Sequence, residues 1–177
     1  MQRVHLAALL LCAWAAVAGC TPALEWREIR PSAAGLRASF PCRPSKQVRQ
    51  VPLAGPPVAL TLYVCKADAV TFALSHADVD DPSRVAGALQ AMRASAEANL
   101  GAAALAAGQA AWQVPGMTPQ PASGRWSLQG RLPDGKPVRA ELAVFSRGTH
   151  VVQATLLGAS GGDAVAQPFF EGLQFAD

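Results

Sequence analysis

Three groups of side chains in this sequence have residue types and spacings that could support chemistry. Gly158-Ala159-Ser160-Gly161-Gly162 matches the GxSxG turn on which hydrolases mount a serine nucleophile, and it lies between a predicted strand and a predicted helix. In that architecture the histidine that takes the serine proton follows the serine, and here no histidine lies beyond Ser160. The chain is also short for the parallel sheet that holds such a turn, so we read the segment as a Gly/Ser turn and keep a small hydrolase using Ser160 as an alternative. The second group is His76-Ala77-Asp78-Val79-Asp80-Asp81, one imidazole and three carboxylates in six residues. His76, Asp78 and Asp80 are candidate ligands for a divalent cation. The run has neither the glycine nor the bidentate glutamate of a calcium loop, and acidic residues before a helix have their own explanation, so a solvated turn is the preferred reading. The third group is Trp26, Phe72, Trp112, Trp126, Phe169 and Phe170, which are able to line an apolar groove but are expected mainly in the core. No phosphate loop or nucleotide fingerprint is present, and no cofactor is expected.

Cysteine chemistry depends on the compartment, which the N-terminus addresses. Arg3 precedes an apolar run, Leu6 to Val17, that is too short to span a bilayer, and Val17-Ala18-Gly19-Cys20 follows. The pattern resembles the bacterial lipoprotein signal class, with Val17 where leucine is commoner. The resemblance implies cleavage after Gly19, acylation of Cys20 and attachment to a membrane, for which two or more chains suffice. Thr21 in the next position resembles lipoproteins passed on to the outer membrane, so the expected location is the periplasmic face of that membrane. Cys12 would be discarded with the signal, leaving Cys42 and Cys65 as the only intramolecular pair, in a compartment where disulfides persist. Closing that loop would stabilise the fold by about 3 kcal/mol. The chain has neither a CxxC motif nor a Cys/His cluster to suggest zinc.

The expected organisation is a signal peptide over residues 1–19, a tether over 20–23 and a single domain over 24–177, long enough to bury its own core. The net charge is +3, with arginines scattered singly, which gives no nucleic-acid footprint. The one local concentration, Arg37, Arg43, Lys46 and Arg49, is interrupted by prolines and reads as a solvated face rather than an anion site.

Period-two alternation predicts strands at Leu36 to Phe40 and Val58 to Cys65, with weaker strands at Glu25 to Ile29, Val48 to Leu53 and Ala110 to Val114. Lys66-Ala67-Asp68 predicts a hairpin into Val70, Phe72 and Leu74. Asp81-Pro82 is a helix start, the carboxylate capping free amides and proline suiting the first turn. Val85, Leu89, Met92, Ala96 and Leu100 then form one apolar stripe, with Arg93 and Glu97 paired outside it; the helix ends at Gly101 or runs on towards Ala107. The stripe should pack on a sheet, since its polar face lacks the basic density of membrane-surface helices. From Gly124 to Leu157 a three-strand meander is predicted, turning at Pro133 to Lys136 and at Arg147 to Thr149, and a final helix runs from Asp163 to about Leu173.

The expected fold class is therefore α+β, an antiparallel β-sheet flanked by one long helix and one short C-terminal helix. This order of elements, with Phe40-Pro41 closing an early strand and Phe170-Glu171-Gly172-Leu173-Gln174-Phe175 at the end, resembles the PsbP-like α/β sandwich over residues 24 to 176. That resemblance implies a non-enzymatic binding or assembly-accessory subunit and supplies no catalytic residues. The expected partners are the membrane, through Cys20, and an envelope protein; nucleic acid is not among them. The alternatives are a periplasmic carrier of an apolar small ligand and a small envelope hydrolase using Ser160.

Overall fold

The computed structural model describes residues 24–31, 35–101, 103–104, 112–158 and 163–176. Ten strands and two helices lie among the described residues. Strands β1 (Arg27–Ile29) and β2 (Leu36–Phe40) are followed by β3 (Ser45–Pro52), β4 (Pro57–Ala67) and β5 (Val70–Asp78). A 3-10 turn over Pro82–Arg84 leads into α1 (Val85–Asn99). The remainder comprises β6 (Ala103–Ala104), β7 (Gly124–Arg131), β8 (Pro137–Arg147), β9 (His150–Gly158), α2 (Asp163–Glu171) and β10 (Gln174–Phe175). One antiparallel sheet has the order β3-β4-β5-β9-β8-β7-β6, and a small one has β1-β2-β10. The α+β class expected from the sequence is the observed one.

The large sheet is apolar on both faces, because side chains on successive strand residues point to opposite sides. On β8, Leu142 and Val144 pack with Val85, Leu89 and Met92 of α1. Their neighbours Ala143 and Phe145 pack with Ala166, Phe169 and Phe170 of α2 and with Leu36, Ala38 and Phe40 of β2. The result is three layers: α1, the seven-stranded sheet, and the small sheet with α2. The middle layer reads as near-continuous apolar sequence on its central strands, whereas β3 at the free edge, SKQVRQVP, is exposed along most of its length.

The helix start forms as expected. The Asp81 carboxylate accepts from the Ser83 amide at 2.8 Å, and Pro82 opens the 3-10 turn. Arg93 pairs with Glu97 at 2.9 Å. Gly101 ends the helix at φ +52, and Ala103–Ala104 pair with β7, so the helix does not continue towards Ala107. Gly130 on β7 lets the helix terminus come close: a Cβ there would lie 2.3 Å from the Leu100 carbonyl oxygen.

Three expectations are corrected. Trp112 to Val114 is not a strand; Val114 is buried as a core side chain in an irregular connection, and Ala110 and Ala111 lie outside the described residues. Gln174–Phe175, where the sequence pattern predicts no strand after the final helix, forms β10, which pairs with β2. His76 to Asp78, expected in a solvated turn, are the last three residues of β5, hydrogen-bonded in register to β9. Two consecutive buried neighbours, Ser75 and His76, break the apolar alternation there, which is why the strand is invisible to a periodicity reading.

Candidate functional site

Two concave features border the exposed half of the large sheet. The first is a cleft of about 430 Å³ on the small-sheet side, lined by Gln50, Ala59, Thr61, His76, Asp78 and His150. Strand order creates it: β9 lies beside β5, so His150 stands opposite Asp78, although the two are far apart in sequence. His150 Nε2 lies 3.6 Å from an Asp78 carboxylate oxygen, while its Nδ1 is buried with no hydrogen-bond partner among the described residues. His76 is only 6% exposed and stacks on Tyr63, ring centroids 6.2 Å apart. Burial, then the neighbouring His150 and Lys46, hold the His76 pKa below its ordinary 6.5. Burial alone would raise Asp78, but the Thr149 hydroxyl, the Asp80 amide and the His150 charge leave its carboxyl below the usual value. Asp80 is exposed at φ +57, its amide donating to Asp78 at 2.9 Å.

The three sequence candidates all line this cleft, His76 and Asp78 two residues apart on β5 and Asp80 just past the strand's end. Among the described residues no three His, Cys, Asp or Glu side chains converge as a metal-binding group. His150 is the residue that sequence reasoning did not connect to this region; only the β5 to β9 pairing brings it there. Cys42 and Cys65 are joined, with Cα atoms 6.0 Å apart, tying the end of β2 to β4. Cys20 and Ser160 lie outside the described residues.

The second feature is a groove of about 320 Å³ between α1 and β3, β4 and β5. Val51, Leu53, Leu60, Leu62, Met92 and Ala96 give it an apolar lining, interrupted by Ser75 and Gln153. It exists because α1 crosses mainly β8 and β9 and leaves β4 half-covered. The six aromatic side chains expected to compete between core and groove do not line it. Phe72, Trp112, Phe169 and Phe170 belong to the α2 side, and Trp126 lies on the α1 side under Arg93, whose guanidinium is 4.5 Å from the ring.

Arg84, not singled out from sequence, braces the turn between β3 and β4. Its guanidinium donates to the carbonyls of Val79 (2.9 Å), Pro56 (3.0 Å), Leu53 and Ala54 (both 3.1 Å). The carbonyls of Leu53, Ala54 and Pro56 lie in the turn outside the strand ladder, where Ala54 and Gly55 adopt positive φ.

His76 gives a pH dependence with a definite sign. Its folded pKa lies below the unfolded value of 6.5, so below that pH the unfolded chain binds more protons and stability falls as pH falls. Each unit of pH in that window removes at most about 1.4 kcal/mol. The Asp78 contribution lies lower, being lost as pH falls through its depressed folded pKa from an unfolded value of 3.8. Urea unfolding of wild type should weaken between pH 7 and pH 5, and His76→Gln should flatten that slope. Parallel slopes for the two proteins would refute the assignment.

No known protein-family model matches the chain, and no curated protein resembles it.

Proposed function

We propose that the chain is a bacterial envelope lipoprotein, anchored by acylated Cys20 to the periplasmic face of the outer membrane. Its PsbP-like domain acts as a non-enzymatic binding or assembly-accessory subunit. The observation that carries this reading is Val17-Ala18-Gly19-Cys20, whose cysteine stands seven residues ahead of the first described strand, β1, at Arg27. The Cys42 to Cys65 disulfide supports it, since such a bond persists outside the reducing cytosol. A lipid tether raises the local concentration of a binding domain at the membrane and gives it a use without chemistry of its own.

The expected result for Cys20→Ala is loss of the acyl mass and release from the membrane fraction, because the anchor is the principal membrane attachment. Membrane retention with an unchanged apparent mass would defeat the reading. The α1 groove favours one second reading, a carrier of an apolar small ligand, for which lipid-like material would be recovered on solvent extraction of the purified protein.

A further inference from the structure

We propose that the face of the domain formed by Trp26, Tyr63 and Val48, with Arg43 and Lys46, rests against the anionic surface of the membrane to which Cys20 is attached. The inference depends on the lipid-anchor reading above.

The first observation is length. Cys20 and Leu24 are separated by four residue steps, at most about 14 Å of fully extended chain. A domain of this size has a radius of gyration near 15 Å, so a tether that short cannot pass around it to let the opposite face meet the bilayer. The point of attachment is also held firmly. The Glu25 amide donates to the Pro41 carbonyl at 2.8 Å, and Arg27, Glu28 and Ile29 pair with Phe40, Ser39 and Ala38 of β2. Whatever surrounds Trp26 is therefore what the membrane meets.

The second observation is what stands there. The exposed large apolar side chains among the described residues are Trp26, 38% exposed, and Val48, 57% exposed. Trp26 sits edge-on to Phe72, which stands opposite Cys65 of the disulfide on β4. Two residues along β4 from Cys65 is the half-buried Tyr63, and Val48 projects from β3 on the same side of the sheet. Tryptophan and tyrosine favour the headgroup level of a bilayer, where a ring has both apolar and polar neighbours.

The third observation is charge. Glu25 and Glu28 are neutralised by Arg27 and Arg30. Arg43 and Lys46 are exposed and form no ion pair among the described residues, and Lys46 Nζ stands 5.9 Å from the Tyr63 ring centre. Lys46 beside the Tyr63 ring, with exposed Arg43 adjoining the disulfide at Cys42, suits an anionic lipid surface. The α1 face and its groove, on the other side of the sheet, then point away from the membrane.

The test uses mature acylated protein in vesicles of phosphatidylcholine and phosphatidylglycerol, with and without brominated acyl chains. The Trp26 signal is isolated as the difference between wild type and Trp26→Phe. That difference should fall by about twofold in brominated vesicles, and the effect should be lost in Arg43→Glu/Lys46→Glu or in vesicles of phosphatidylcholine alone. Vesicle-bound, acylated protein whose Trp26 emission is unaffected by bromine would overturn the proposal while leaving the anchor intact. Quenching that persists unchanged in the double variant would overturn the electrostatic part. Protein without acyl mass that fails to bind vesicles would overturn both the proposal and the anchor reading.

Discussion

Replacing Phe169 with alanine should cost about 4 kcal/mol of folding stability, a large share of the 5 to 15 kcal/mol typical of a domain. Phe169 is completely buried and is the hub through which α2 grips the rest of the protein. Its ring meets Phe40 of β2 at 5.5 Å, Phe72 of β5 at 5.3 Å and the adjacent Phe170 at 5.3 Å, each edge to face. Edge-to-face geometry places the positive ring edge on the negative face of its neighbour, adding to the burial energy. Truncation would lose that burial and leave a cavity that strands on two sheets cannot close together. Urea unfolding measures the cost, and Phe169→Leu should recover much of it because volume is largely restored. A change below about 1 kcal/mol would show that α2 contributes little to the core.

Opening the Cys42 to Cys65 bridge is the second large perturbation. The bond closes a separation of 23 residues, so its loss should destabilise the domain by about 3 kcal/mol through the added freedom of the unfolded chain. It also ties the small sheet to β4, a connection otherwise made through side-chain packing. The Cys42→Ser/Cys65→Ser double variant and the reduced wild type should therefore unfold at similar, lower urea concentrations. Coincident midpoints for oxidised and reduced protein would contradict this, as would two free thiols in protein purified without reductant.

Much of the fold is legible from local pattern. Leu36, Ala38 and Phe40 alternate with partly exposed neighbours, and the meander from Gly124 is legible because its turns carry Pro133, Gly135 and Gly148. Asp81-Pro82 and the spacing of Val85, Leu89 and Met92 define the start and buried face of α1 without outside help. The site was less legible. His76 and Asp78 looked like part of a turn because polar residues at a strand end carry no periodic signal, yet the sheet buries the imidazole and aligns the carboxylate with His150.

The sequence alone determined the features whose causes are local. These are the strand alternation, the helix stripe and cap, and the positions of most turns. Tertiary structure decided which apolar residues face α1 and which face α2, since a central strand such as β8 is apolar on both sides and its pattern does not distinguish them. It also decided that β10 pairs with β2, that Arg84 serves four carbonyls, and that His150 meets Asp78. Each of these joins residues distant in sequence, and the energy that selects them comes from burial and hydrogen bonding that exist only after the layers have packed.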